Sequence, residues 1–164
     1  MHTFSRDDLP GADKPALYAK LRAELSALVE GERDFIANTA NCAALLFELL
    51  PDLNWAGFYF LKGADLVLGP FQGRLACVRI GPGRGVCGAA AAAKETLVVP
   101  DVHKFPGHIA CDPQSNSEIV VPLFKDGRLL GVLDLDSPRL GRFDQDDAAG
   151  LARIAQTLVA ASDV

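Results

Sequence analysis

Long hydrophobic runs are missing from this chain, and so are most of the short motifs that announce a function. No apolar stretch approaches the roughly 20 residues that a membrane-spanning helix needs. The opening MHTFSRDDLPGADK is polar and lacks the charged-then-apolar layout of a secretion signal. A soluble, cytoplasmic protein with no membrane partner is therefore expected. Runs of lysine and arginine are absent, as are stripes of alternating aromatic and basic residues, and the net charge is −5. A nucleic-acid partner is not expected on such a surface. Gly81-x-Gly83-x-Gly85 lacks the Gly-Lys-Ser/Thr of a phosphate-binding loop and does not fit the Gly-x-Gly-x-x-Gly dinucleotide pattern. No Cys-x-x-Cys or His-Glu-x-x-His occurs. His103, His108 and Cys111 fit no standard zinc spacing, so neither a metal nor a cofactor is expected. There is no internal repeat and no linker.

What is present suits one domain. At 164 residues the chain is long enough to bury a core without a disulfide or metal. Hydrophobic residues make up 49% and charged residues 23%, an ordinary globular balance. Residues 1–14 read as an extended arm and 15–164 as the domain. Leu17, Leu21, Leu25 and Leu28 recur at helical spacing and predict a helix from about Pro15 to Val29. A second stripe, Phe35, Asn38/Thr39, Cys42, Leu45/Leu46 and Leu49, ends near Pro51. Strands are predicted over Asn54–Leu61, Asp65–Phe71, Ala76–Ile80 and Leu97–Val99. An alanine-rich helix follows the loop Gly81–Gly85 and runs to about Lys94. Residues 101–117, rich in Pro, Gly and Ser, form a long loop, the kind of segment that often carries function. Ile119–Phe124 and Arg128–Asp136 form a hairpin about Asp126-Gly127. Phe143-Asp144 opens a last helix. Tight turns between successive strands predict an antiparallel sheet flanked by helices, an α+β fold.

Three of the four cysteines lie between positions 77 and 111, each beside glycine or a polar loop, with Glu118, Asp134 and Asp136 close behind. In a reducing compartment these thiols are expected to rest reduced, with any disulfide transient, so the cluster points to redox chemistry or metal binding. Cys42 lies on an apolar helix stripe and reads as a small core residue. Cys87 follows Gly83-Arg84-Gly85 in the first turn of a helix. Local physics makes it the leading nucleophile, because a helix N-terminus and an arginine both favour a thiolate; the alternative is that the tight loop merely needs a small residue. Cys77, in a short strand, is open to a structural or a redox role. Cys111 sits in the long loop, with His108 three residues back as base or charge partner and Asp112 adjacent to oppose a thiolate.

Asp134 and Asp136 alternate on a strand and so share one face, roughly 7 Å apart, with Leu133 and Leu135 on the other. A solvated face is the ordinary explanation of such acids. With Glu118 at the start of the partner strand, however, three carboxyls grouped at one end of the hairpin could hold an ammonium group or a shared proton. Trp55 and Tyr59 share a face of the first strand, as core residues or as walls of a small pocket.

NWAGFYFL, LVLGPFQGRLACVRI, GRGVCG, VHKFPGHIACDPQSNSEIVVPL, GVLDLDS and GRFDQDD together resemble the free methionine-(R)-sulfoxide reductases, stand-alone enzymes built on the GAF fold. The likeness runs from about Trp55 to the last helix. It implies a GAF-like catalytic domain with a small closed pocket on one sheet face. It further implies that Cys111 is the nucleophile, Cys77 the main resolving cysteine and Cys87 a third redox cysteine, displacing Cys87 from the leading position. Glu118, Asp134 and Asp136 match pocket acids, and Trp55 and Tyr59 pocket aromatics. The implied reaction turns free L-methionine (R)-S-oxide into L-methionine through a sulfenic acid and a disulfide, reset by thioredoxin. Glu118 and Asp136 would supply the proton and Asp134 would hold the substrate's amino group. A homodimer is an arrangement the resemblance allows. Two other functions fit a lone GAF-like domain: a small-ligand sensor and a peroxide-responsive thiol switch.

Overall fold

Apolar stripes and side-chain caps set the helices. The computed structural model describes residues 13–109 and 111–164, so the expected arm at 1–14 falls almost wholly outside the described residues. Helix α1 spans Lys14–Leu28, with Asp13 as N-cap accepting from the Ala16 amide, and Pro15 in its first turn. It buries Leu17, Leu21 and Leu25, whereas Leu28, expected on the same stripe, is 40% exposed. Helix α2 spans Phe35–Leu49 under an Asp34 cap and buries Cys42, Leu45, Leu46 and Leu49. Helix α3 is Gly85–Ala93 and helix α4 Gln145–Ala161. Asp144 and Asp147 form a reciprocal capping box at the start of α4.

Six strands form one antiparallel sheet: β1 Trp55–Lys62, β2 Asp65–Gly73, β3 Arg79–Ile80, β4 Leu97–Val99, β5 Ser117–Lys125 and β6 Arg128–Ser137. Their spatial order is β3-β2-β1-β6-β5-β4, the α+β architecture expected from the sequence. The β5–β6 turn has positive φ at both Asp126 (51°) and Gly127 (76°), the backbone a two-residue hairpin of this hand requires. The third expected strand contracts from Ala76–Ile80 to Arg79–Ile80. Two carbonyls of the preceding segment are held by side chains instead of a ladder: Trp55 Nε1 donates to Arg74 O (3.2 Å) and Tyr59 OH to Cys77 O (3.0 Å). Cys77 therefore lies in a loop, not in a strand.

The two sheet faces bury different things. Ala56, Phe58, Ile119, Val121, Leu123, Leu133 and Leu135 pack against α1, α2 and α4 in the main core. Residues one step out of phase, Trp55, Tyr59, Val120 and Val132, pack with Val86, Cys87 and Ala90 of α3 in a second, smaller cluster. The period-two alternation of strands thus separates a greasy face from the face that carries the acids.

Gly57 makes room on that second face. A Cβ there would lie 2.3 Å from Phe71 Cβ, 2.7 Å from the Trp55 ring and 2.9 Å from the Phe71 backbone. Trp55 stacks on Phe71 at 5.4 Å between centroids across this gap. Gly57→Ala is expected to destabilise the protein by about 1–3 kcal/mol through overpacking. Urea unfolding should show it as a lower midpoint at unchanged slope.

Candidate functional site

Strand register builds the floor of the site. Trp55 of β1 stands opposite Asp136 of β6, which stands opposite Glu118 of β5. One row further, Gly57, Asp134 and Val120 align in the same way. Both rows share a face, so three carboxyls and an indole converge. Helix α3 lies over them, with Cys87 buried on its underside. Loop residues Leu75, Ala76, His108, Ile109, Cys111, Asp112 and Ser115 complete a small cavity, with Arg84 and Tyr59 also in its lining.

The loops are tied down. A disulfide joins Cys77 to Cys111 across a sequence separation of 34, with Cα atoms 5.9 Å apart. The sequence led us to expect these thiols reduced at rest; the structure holds their oxidised form. Asn54 Nδ2 donates to Asp112 Oδ2 (3.1 Å) and Ser115 Oγ (2.9 Å), fastening the Cys111 loop to the entrance of β1. Asp112 Oδ1 in turn accepts from the Gln114 amide at 2.9 Å, an Asx turn that shapes the loop.

Burial governs the charges. Desolvation, then the neighbouring Asp136 charge, pushes Glu118 well above the ordinary carboxylate range. Asp134 is raised by burial and by Glu118, and Asp136 by burial and by Asp134. Tyr59 is raised by burial and by Asp134. The imidazole of His108 is lowered by burial, although its Nε2 stands 3.6 Å from Glu118 Oε2. The two shifts agree: a protonated Glu118 offers the imidazole no negative charge, and the pair is neutral. Cys87 Sγ–H donates to Glu118 Oε1 at 4.0 Å. Burial first, then Asp134, Glu118 and Asp136, holds Cys87 as a thiol. This reverses the local expectation of a Cys87 thiolate, because burial, and then the acids, outweigh the helix terminus.

Trp55, Tyr59, Cys87, Cys111, Glu118, Asp134 and Asp136 all line the one cavity, and Cys77 is bonded to it through Cys111. His108 faces Glu118, and His103 lies apart, its Nδ1 2.9 Å from Asp101 Oδ1, so the two histidines do not converge on Cys111. Cys42 is fully buried in the main core, where desolvation pushes its thiol up to about 12. Sequence reasoning named Arg84 only as a neighbour of Cys87 and overlooked Asn54 and Ser115 as parts of the site. The Asp-Pro-Gln-Ser turn signal around Asp112 hinted at Ser115 alone.

Residues 16–161 match the GAF domain family, and a structure titled as that of the GAF domain superposes with a TM-score of 0.90 at 38% identity, over 100% of this chain and 99% of that one. Within that class the likeness narrows. The chain is 53% identical over 146 residues to the free methionine-R-sulfoxide reductase of Escherichia coli, covering 89% of this chain and 88% of that protein. A structure titled as free methionine-R-sulfoxide reductase from Neisseria meningitidis in complex with its substrate superposes with a TM-score of 0.91 at 48% identity, over 98% of this chain and 95% of that one. The reduced form of the Staphylococcus aureus protein superposes at 0.85 with 49% identity, over 88% and 94%. The chain belongs to the free methionine-R-sulfoxide reductase family.

A carboxyl whose native value is raised is favoured in its protonated form by folding. It costs nothing below the ordinary carboxylate value near 3.8, and its ionisation opposes folding increasingly as pH climbs toward the raised native value. Asp134→Asn should therefore unfold at higher urea than wild type at pH 8, with the difference shrinking to nothing by about pH 3. A variant equally stable at both pH values would mean that Asp134 is not held neutral.

Proposed function

We propose that this chain reduces free L-methionine (R)-S-oxide to L-methionine with Cys111 as nucleophile. The observation that carries the reading is the Cys77–Cys111 disulfide at the mouth of a cavity whose floor holds Glu118, Asp134 and Asp136. A redox pair and a proton store face each other across a space fit for a small polar molecule.

Each step has a residue to perform it. The reduced Cys111 attacks the sulfoxide sulfur. The departing oxygen needs a proton, and a carboxyl kept protonated by burial donates well near neutral pH. Glu118, together with Asp136, fills that role. The oxygen ends on Cys111 as a sulfenic acid, and methionine leaves with two more electrons than the sulfoxide had. Cys77 thiol then condenses with the sulfenic acid, releasing water and forming the disulfide. An external dithiol, thioredoxin, restores both thiols by exchange. Asp134 receives the substrate's ammonium group, whose positive charge stabilises the ionised form that burial alone opposes. The stacked Trp55 and Tyr59 rings, 5.9 Å between centroids, flank the thioether end. A peptide-bound methionine lacks the ammonium, and its chain would have to clear the loops and the helix that line the cavity. A cytoplasmic setting and a homodimer complete the reading. No described helix is long and apolar enough to cross a membrane.

The test couples the purified protein to thioredoxin, its reductase and NADPH. Consumption is expected with the free R epimer, and not with the S epimer or an N-blocked sulfoxide. No consumption with any of them, from folded and reduced protein, would move the chain to a sensor or thiol switch. Cys111→Ser should abolish turnover. Cys77→Ser should yield about one methionine per enzyme and then stall, because the sulfenic acid lacks its partner; full cycling would make Cys87 the resolver. Asp134→Asn should raise KM more than it lowers kcat.

A further inference from the structure

We propose that Cys87, Glu118 and Asp134 also form a binding site for one divalent cation of borderline softness, Zn2+ in the first instance. One ligand atom from each of the three lies within 4.8 Å of the others, and all three residues are buried. In a tetrahedral zinc site with Zn–S near 2.3 Å and Zn–O near 2.0 Å, sulfur and oxygen stand about 3.5 Å apart. Cys87 Sγ and Glu118 Oε1 stand at 4.0 Å, so a half-ångström adjustment closes that edge.

A second observation is independent of the clustering. Asp134 is 6% exposed, lines the cavity, and its Oδ1 is buried with no hydrogen-bond partner. A buried lone pair without a donor invites a cation. The remaining groups facing the cluster are Asp136, Tyr59, His108, Asp112 and Arg84. Arg84 alone carries a fixed positive charge, so acid predominates. His108, whose Nε2 is 3.6 Å from Glu118 Oε2, lies outside the three-ligand cluster, so the fourth position of a tetrahedral ion falls to a solvent molecule. A thiolate among carboxylates selects zinc-like ions over Mg2+ and Ca2+, which take oxygen donors. Binding must expel the protons that burial keeps on these groups, so affinity should rise with pH. An ion there would occupy the acids and shut the cavity to a sulfoxide, giving reversible inhibition. That consequence rests on the reductase reading; the binding does not.

The disulfide form is the right test species, because Cys77 and Cys111 are then masked and the other thiol, Cys42, is fully buried in the helical core. Zn2+ affinity is measured by competition with a chromophoric chelator, and Co2+ is added alone as a spectroscopic probe. We expect one Zn2+ per chain, weakened at least tenfold in Cys87→Ser and in Asp134→Asn and unchanged in Cys42→Ser, with no competition from Mg2+. We also expect a thiolate-to-cobalt charge-transfer band in the wild-type disulfide form. Lack of that band overturns the site even if a variant fails to fold. Zn2+ binding that survives both Cys87→Ser and Asp134→Asn places the ion on surface groups such as His103 and Asp101, and overturns it equally. Catalytic assays play no part in either outcome.

Discussion

Three carboxyl groups on one dry sheet face cannot all be ionised together. Glu118, Asp134 and Asp136 stand in two adjacent rows of the sheet, under a helix that excludes water. Each is raised first by burial and then by another acid of the set. The face therefore favours protonated carboxyls, and a positive charge brought into it would favour their ionised forms. The proposed substrate ammonium and the proposed divalent cation would act in this same way. The cluster is unfavourable for folding, and the opposite face is what makes it affordable. There Phe58, Ile119, Leu133 and Leu135 are wholly buried against three helices, and each such side chain contributes on the order of 1.5–3 kcal/mol.

The same constraint sorts the cysteines by environment. Cys42 is a core residue whose thiol is high simply because water is absent. Cys87 is high because water is absent and acids surround it. Cys77 and Cys111 come from loops, are half-buried, and have bonded to each other. Loop placement keeps both backbones out of a sheet ladder. A strand at Cys77 would have fixed its direction by the ladder. Tyr59 and Trp55 prevent this by taking the carbonyls of Cys77 and Arg74, so the pocket aromatics also shape the loop that carries Cys77.

Much of the fold was legible because its signals are local. Leucine spacing located α1 and α2, the Asp126-Gly127 turn located the β5–β6 hairpin, and alternation placed Asp134 and Asp136 on one face opposite Leu133 and Leu135. Where non-local contacts decide, local reading failed. Ala76–Ile80 has strand composition, yet two side chains from β1 claim the segment. Cys87 has the sequence context of a thiolate, yet acids some thirty to fifty positions later in the chain lie against it. Asn54 looked like a strand boundary, and its bonds to Asp112 and Ser115 depend on how the long loop folds back. The family motifs singled out Cys77 and Cys111, the two cysteines the structure joins, where local physics had favoured Cys87, since a motif embeds contacts that periodicity cannot express.

Helix α3 is the piece through which these effects are coupled. It supplies Cys87 to the acids and Val86 and Ala90 to the apolar rim. Gly85, at its start, has φ 59° and would place a Cβ 3.2 Å from Ile109, in the loop that carries Cys111. The helix start and the redox loop therefore touch without room to spare. Any outward shift of the helix admits water to the acids, lowers their hold on protons and loosens the seat of Cys111 together. The protonation of the acids and the position of Cys111 are one property of the packing here, because the same short helix dries the first and backs the second.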